Sequence, residues 1–355
     1  MTNQRDWKKL LKADPTDWLL EPDDPGPRYL ALRDLVEAYD AEIAAARRKA
    51  HREGPIATIL AAMNPEGWWV RPGPGYGPKF RSTVWSVISL AQLGASDVED
   101  KRISIACAYY LDHAVAKGGQ ITYLGKAAST APCLQGNMLT ALPDLGCQDS
   151  RLDAAFEWMA RTVTGDGLPR RVDAAGFPPQ DGSSGPFRYL RLNGPLFRCS
   201  TNDDLPCAWA GTSVLKAFSR LPLDRRTGLI GRAIEAAVGF FFGVDPATAS
   251  FPGHRKGVPD ERWWQFKFPD FYAADILKVA EALTALGYGG DPRLAHTLDL
   301  IRGMQDENGR WALDYVKPGY KMWVNYGRVG QPNKWVTLRA LRVLKQAAQQ
   351  GWRGN

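Results

Sequence analysis

The chain has 355 residues, 45% of them hydrophobic and 23% charged, which is the composition of an ordinary globular protein and excludes a disordered or fibrous one. Its formal net charge of +7 is modest for this length and no run of five Lys or Arg occurs, so we do not expect nucleic acid as a partner. The longest apolar or glycine run, residues 236–244, is far shorter than the roughly 20 residues needed to cross a bilayer.

The first residues, 1–14, are polar and contain no apolar segment of the signal-peptide type, so we expect a cytoplasmic protein. The five cysteines are an odd number without CxxC spacing. This usage favours reduced, mostly buried thiols over disulfides or zinc ligands.

Residues 1–27 contain Trp7, Trp18 and many prolines, which predicts an extended arm that wraps the rest of the chain. Residues 28–349 are predicted to form one domain, and 350–355 a short tail. Helical spacing of apolar residues begins at Tyr29 and runs to Arg52.

An internal repeat then appears at Leu93-Gly94, Leu145-Gly146 and Leu286-Gly287. Each time an apolar helix ends in a glycine of the C-cap type, and an Asp or Ser a few residues later can N-cap the next helix. In the third copy Pro292 takes the first helical position, where its missing N–H group is not needed.

The helices before each Leu-Gly pair are apolar nearly all round, at residues 83–93, 134–145, 209–221, 271–286 and 335–344. The helices after it are amphipathic, at 102–111, 152–161, 229–242 and 294–304. Buried helices that alternate with half-exposed ones indicate an inner ring covered by an outer ring. With a first inner helix near 29–37, the sequence predicts an all-α fold, an (α/α) toroid of about six helical hairpins.

A second signature follows the outer helices. Residues Gln305 to Trp311 have the form QxxxGxW, residues Asn64 to Trp69 are a near copy, and residues 164–168 are a weaker one. The glycine turns the chain and the tryptophan packs back across the helix end. Over roughly residues 55–349 the chain therefore resembles the prenyltransferase/squalene-hopene cyclase repeat family, which includes terpene cyclases. The resemblance implies the toroid fold more specifically than any activity, since toroids serve several chemistries.

The loops that lead into the inner helices are rich in aromatic and cationic residues, and we expect them to form the rim of a pocket. Aromatic faces attract positive charge by about 0.5–2 kcal/mol per ring, and the cations could bind an anion. The alternative is a hydrophobic plug with cations on the surface. The predicted substrate-binding residues are Lys79, Arg81, Trp85, Trp209, Trp264, Lys267, Phe271, Tyr272, Trp323, Lys334 and Trp335.

Two adjacent carboxylates, Asp203 and Asp204, stand on a polar loop before the inner helix at 209–221. Class II terpene cyclases protonate their substrate with the middle Asp of a DxDD motif, which corresponds here to residues Thr201 to Asp204. The resemblance therefore implies Asp203 as the proton donor and Asp204 as its neighbour, although Thr201 replaces the first Asp of the motif. The alternative is that one of these Asp residues N-caps the helix.

Asp270 and Asp275 are the next candidates. Asp270 could cap an inner helix, whereas Asp275 is predicted to lie inside it, where a carboxylate needs a partner or a shifted pKa. We predict Asp275 as a further catalytic carboxylate, with a structural ion pair as the alternative.

The leading functional hypothesis is a terpene cyclase-like enzyme that carries out acid-initiated cyclisation or isomerisation of an isoprenoid. The alternatives are a carbohydrate-active toroid hydrolase or lyase that uses paired carboxylates, and a non-catalytic binding protein. We expect a small apolar or anionic ligand, no redox cofactor and no metal site, with Mg²⁺ only if a diphosphate is bound. The oligomeric state is left open.

Overall fold

The computed structural model describes residues 6–127, 129–166, 195–199, 202, 205–252 and 259–354. Thirteen α-helices lie in this part of the chain: α1 (Thr16–Leu19), α2 (Pro25–Ala31), α3 (Asp40–Arg52), α4 (Pro55–Ala61), α5 (Thr83–Gln92), α6 (Arg102–Ala114), α7 (Pro132–Asp144), α8 (Arg151–Thr164), α9 (Ala208–Phe218), α10 (Gly228–Phe242), α11 (Ile276–Ala285), α12 (Pro292–Gly303) and α13 (Lys334–Gln349). Two short antiparallel strands, β1 (Arg198–Cys199) and β2 (Leu205–Pro206), precede α9.

Six helices form an inner ring, namely α2, α5, α7, α9, α11 and α13. Neighbours pack directly along the order α5, α7, α9, α11, α13 and α2. The ring closes between α5 and α2. Gly94, just after α5, packs so closely against Leu30 of α2 that an added Cβ atom would lie 2.6 Å from Leu30 Cδ2. The predicted (α/α) toroid is confirmed.

Burial separates inner from outer helices. In α9 nine of eleven residues are buried, as an inner helix covered on all sides requires. In α10 only five of fifteen are buried, at 233, 234, 237, 238 and 241, which is one face of a helix. Polar positions therefore point outward in the second ring, and the apolar core lies between the two rings.

An outer helix follows each inner helix up to α11, whereas α13 is the last helix described. The N-terminal segment packs against α13 through its 3₁₀ helix at Asp6–Leu10 and through α1. Gln305 fastens this segment, since its side chain accepts a hydrogen bond from the Lys12 N–H group at 2.7 Å and donates one to the Ala13 carbonyl at 2.9 Å.

The predicted first inner helix near 29–37 ends at Glu37, whose φ of 53° is left-handed, and the helical spacing predicted as far as Arg52 continues in α3 from Asp40. Two predicted helix starts differ from the structure. The predicted inner helix at 271–286 begins five residues later, at Ile276. Helix α2 begins at Pro25, inside the predicted arm of residues 1–27. The division into arm, domain and tail stays a prediction.

The tryptophans after α4 and α12 occupy equivalent places. The indole N–H group of Trp69 donates to the Ile59 carbonyl at 2.8 Å, and that of Trp311 donates to the Ile301 carbonyl at 2.7 Å. Both side chains are fully buried. Each ring therefore packs back onto the helix that precedes it and closes one end of a hairpin. In the described part of the chain, no helix is long and apolar enough to cross a membrane.

Candidate functional site

An aromatic pocket of about 250 Å³ lies at the end of the ring where the inner helices begin. Its walls come from the segments that lead into α5, α9, α11 and α13. The described lining residues are Lys79, Phe80, Trp209, Arg262, Lys267, Phe268, Pro269, Phe271, Tyr272, Ala273, Tyr315, Val316, Lys317 and Met322. None of these fourteen carries a carboxylate, so the described wall is apolar with cations on it.

Stacked and edge-on rings hold the wall in shape. Phe80 stacks on Phe271 with ring centroids 4.8 Å apart. Trp85, fully buried, meets Phe271 and Tyr272 edge to face at 5.2 and 5.1 Å. Such pairs are worth about 0.5–1.5 kcal/mol each beyond the area they bury, so the wall is preorganised.

Lys79 occupies the centre of this aromatic group. Its ammonium nitrogen lies 5.3, 5.8 and 5.6 Å from the ring centroids of Tyr76, Trp85 and Tyr272. Among the described residues no carboxylate is within ion-pair distance of Lys79. The three rings therefore hold a positive charge by their faces, which shows what kind of charge this place favours.

Below the pocket, an ionic layer fills the ring. We use this name for Lys267, Asp270, Asp275, Lys278, Glu281 and Arg339. Asp275 lies 3.4 Å from Lys267 Nζ and 3.7 Å from Arg339 Nη2, and Lys278 Nζ lies 3.1 Å from Asp270. Arg339 also donates to both carboxylate oxygens of Glu281, at 2.8 and 3.0 Å.

Asp275, which we predicted as a further catalytic carboxylate, lies in the ionic layer, and its catalytic role stays a prediction. It is the N-cap of α11, because its carboxylate accepts a hydrogen bond from the Lys278 N–H group at 2.8 Å. Its side chain has no exposed surface and does not line the aromatic pocket. The helix begins just after it, so the carboxylate finds a backbone partner and two cations, as the ion-pair alternative required.

A second, polar cavity of about 280 Å³ lies on the other side of the ionic layer, toward the ends of the inner helices. Phe268 lines both cavities. Trp335, predicted for the substrate pocket, lines the polar cavity and stacks on Phe268 at 4.8 Å.

Five other predicted binding residues also lie outside the described wall of the aromatic pocket, namely Arg81, Trp85, Trp264, Trp323 and Lys334. The Arg81 guanidinium stacks on Trp323 at 4.0 Å, and the Trp323 indole donates to the Arg81 carbonyl at 3.0 Å. The Trp264 indole donates to the Ala247 carbonyl at 2.9 Å. These contacts brace the loops around the pocket.

Lys334 does not reach the pocket. Its ammonium group pairs with Glu21 at 2.7 Å and Asp24 at 2.6 Å, and it lies 5.5 Å from the Trp18 ring. The prediction missed this role because the partners lie more than 300 positions earlier in the chain, where no local pattern links them. Lys334 thus anchors the N-terminal segment.

Asp203 and Asp204, the leading catalytic candidates, lie outside the described residues. The described neighbours show how the loop is held at its base. Asn202 is buried, and its amide donates to the carbonyls of Pro206 at 3.0 Å and Pro252 at 3.2 Å. The strands β1 and β2 pair beside it and lead into α9, whose residue Trp209 lines the aromatic pocket.

The ionic layer was not predicted as a unit. Lys278 donates to the side chains of Asn137 at 3.1 Å and Ser213 at 3.2 Å, so one ammonium group joins three inner helices. The available signal was the presence of single charges in otherwise apolar helices, at Lys278, Glu281 and Arg339. In the described part of the chain, no group of three or more His, Cys, Asp or Glu is placed to hold a metal ion.

Glu281 should make stability depend on pH in the acid range. Burial raises the pKa of its carboxyl, but Arg339 and Lys216 outweigh burial and hold that pKa well below its usual value of 4.5. Since the pKa is lower in the folded state, the carboxylate contributes fully above about pH 4.5, and its contribution is lost as the pH falls.

We therefore expect the difference in unfolding free energy between the wild type and Glu281→Gln to shrink below pH 4.5, by at most about 1.4 kcal/mol per pH unit. Urea-induced unfolding of both proteins, measured at several fixed pH values between about pH 6 and pH 3, gives this difference. A difference that stays constant over this range would contradict the assignment.

Comparisons with known proteins give no family. No family model matches the chain, and no curated protein matches it. Among solved structures, an unsaturated glucuronyl hydrolase specific for heparin has a TM-score of 0.47 at 14% identity and covers 98% of this chain and 87% of its own. A type II terpene cyclase from Scytonema, in complex with geranylgeranyl dihydroxybenzoate, has a TM-score of 0.33 at 15% identity, covering 86% and 97%.

A protein from Actinoplanes has a TM-score of 0.30 at 15% identity and covers 86% of this chain and 99% of its own. All three similarities fall below a TM-score of 0.5, so no activity is assigned from them. The class of protein is therefore defined by its own geometry, as an (α/α) toroid with an aromatic pocket at one end.

Proposed function

We propose that this protein is a terpene cyclase-like enzyme that binds an isoprenoid substrate in the aromatic pocket and protonates it from Asp203. The observation that supports this proposal most is the aromatic group around Lys79, where three ring faces meet a positive charge. A carbocation formed in the pocket would be stabilised by the same faces, by about 0.5–2 kcal/mol per ring.

The proposed reaction begins when the proton of the neutral Asp203 carboxyl forms a C–H bond with the π electrons of an alkene. The neighbouring carbon becomes cationic and Asp203 becomes a carboxylate. Attack by a second alkene closes a ring, or loss of a proton gives an isomer. Either path ends when the substrate releases a proton, which restores the acid.

The cations on the wall fit an anionic group at one end of such a substrate. Lys79 and Lys317 line the pocket, and Arg262 stacks over Trp209 at 4.7 Å from the ring centroid. In the proposal Lys79 leaves the aromatic group to bind a diphosphate, so that the rings are free for the hydrocarbon. A volume of about 250 Å³ lies at the small end of ligand sites, which favours a short isoprenoid.

The carbohydrate-active alternative has less support. It needs two carboxylates that face each other across a pocket. Asp270 and Asp275, the two candidate partners of Asp203 in such a pair, both belong to the ionic layer and form ion pairs with lysines there.

The direct test uses purified protein with geranyl, farnesyl or geranylgeranyl diphosphate, with and without Mg²⁺, and product detection by gas chromatography and mass spectrometry. We expect turnover by the wild type and a rate lower by about 10²- to 10⁴-fold in Asp203→Asn, the range that general acids supply. Asp204→Asn is the neighbouring control, and melting temperatures verify folding. Turnover that survives Asp203→Asn unchanged removes Asp203 as the acid.

A further inference from the structure

The polar cavity contains more positive than negative charge. Six cations line it, from four of the inner helices and the residues that follow them: Arg33, Lys216, Arg220, Lys278, Arg339 and Arg342. Only three carboxylates line it, Asp144, Asp270 and Glu281. Adding Asp34, which pairs with Arg33 and Arg342, still leaves two cations in excess among the described residues.

Two of these three carboxylates already accept hydrogen bonds from cations. Asp144 accepts two hydrogen bonds from Arg220, at 2.7 and 2.9 Å. Glu281 is shared by Lys216 at 2.8 Å and by Arg339. Since buried like charges repel strongly, an excess of cations in a cavity favours an anion inside it.

Two buried polar groups also lack hydrogen bonds. The Nε atom of Arg342 is buried and donates to no described atom. Both carboxylate oxygens of Asp270 accept none, although its side chain is only 1% exposed and Lys278 lies 3.1 Å away. Groups of this kind normally have partners, and both residues line the cavity.

We propose that the polar cavity is a second ligand site, which binds a small phosphate or carboxylate anion that also carries a hydroxyl group. The guanidinium groups of Arg342 and Arg220 would bind the anionic oxygens. The carboxylate of Asp270 would accept a hydrogen bond from the hydroxyl group. This site is separate from the aromatic pocket and does not depend on Asp203.

Electrostatics around Arg342 agree with this assignment. Burial lowers the pKa of its guanidinium, Asp34 opposes that effect, and Arg33 lowers the pKa further. An anion beside Arg342 would offset both the burial and the repulsion from Arg33.

Isothermal titration calorimetry with inorganic phosphate, malate and succinate tests the site, at low salt and with sodium chloride as the control. We expect saturable binding of malate that weakens as salt is added. Arg342→Gln and Arg220→Gln should each weaken it by about tenfold or more, because each removes a charged hydrogen bond. The matched control is Arg232→Gln, whose arginine pairs with Asp166 on the exposed side of an outer helix and should leave binding unchanged.

The hydroxyl group has its own test. Malate and succinate differ by one hydroxyl, so the wild type should bind malate more tightly and Asp270→Asn should reduce that preference. The side chains of Arg220 and Arg342 are 27% and 29% exposed, so both variants are expected to fold, which melting temperatures verify. The site is refuted if no probe binds saturably, or if both arginine variants bind malate as the wild type does. Equal affinity for malate and succinate in the wild type would remove Asp270 from the site.

Discussion

Replacing Arg339 with Met is expected to lower the free energy of unfolding by about 3–5 kcal/mol, because it leaves buried carboxylates without their cation. The Arg339 side chain is 5% exposed and pairs with Glu281, while Asp275 lies 3.7 Å from it with no exposed surface. It also donates to the Lys267 carbonyl at 2.8 Å, so that bond is lost as well. Methionine fills a similar space but supplies neither charge nor donor.

Urea denaturation followed by circular dichroism measures this loss. The matched control is Arg232→Met, which breaks an exposed pair with Asp166 at 2.6 Å and should cost less than about 1 kcal/mol. Equal effects of the two substitutions would mean that the ionic layer contributes no more than a surface ion pair.

Replacing Trp69 with Ala is the second large effect, with an expected loss of about 3–5 kcal/mol. The ring is fully buried, so its removal leaves a cavity where the chain returns to α4. The Ile59 carbonyl loses the indole hydrogen bond at 2.8 Å and keeps only the one from the Ala62 N–H group at 3.2 Å. Trp311→Ala should behave similarly, because its ring and its hydrogen bond to Ile301 are equivalent.

The adjacent residue provides the control for this experiment. Trp68 is half-buried and its indole donates only to Glu66, at 2.9 Å on the surface. We expect Trp68→Ala to cost about 1 kcal/mol or less. If the two neighbouring tryptophans proved equally important, the packing of the ring across the helix end would not be what stabilises this turn.

The architecture could be predicted because its signals are local and repeated. An inner helix such as α9 is apolar on every side, an outer helix such as α10 on one face, and the two alternate along the chain. These patterns depend only on burial and on the 3.6-residue period, so they can be read without knowing which helix touches which.

The start of α11 shows where that reading fails. The apolar run at Phe271 looked like a helix, but residues 271–273 line the aromatic pocket outside any helix, with bends at 272 and 273, and Asp275 then caps the helix. An apolar residue that faces a ligand pocket and one that faces the core have the same side chain, so composition alone did not separate them.

Lys79, Trp209, Lys267, Phe271 and Tyr272 line the aromatic pocket, and their role in substrate binding stays a prediction. The partners of Lys334 and of Lys278 were not foreseen, because both depend on contacts between residues far apart in sequence. The role of Asp203 stays a prediction.

The ionic layer separates two chambers that share one wall. Phe268 faces both of them, and Lys267 on one side is joined through Asp275 to Arg339 on the other. A ligand in one cavity that moves residues of the ionic layer changes the affinity of the other cavity for its ligand. By thermodynamic linkage, the two ligands change each other's affinity by the same factor. Binding of a ligand in the polar cavity is therefore expected to change the affinity of the aromatic pocket for its own ligand.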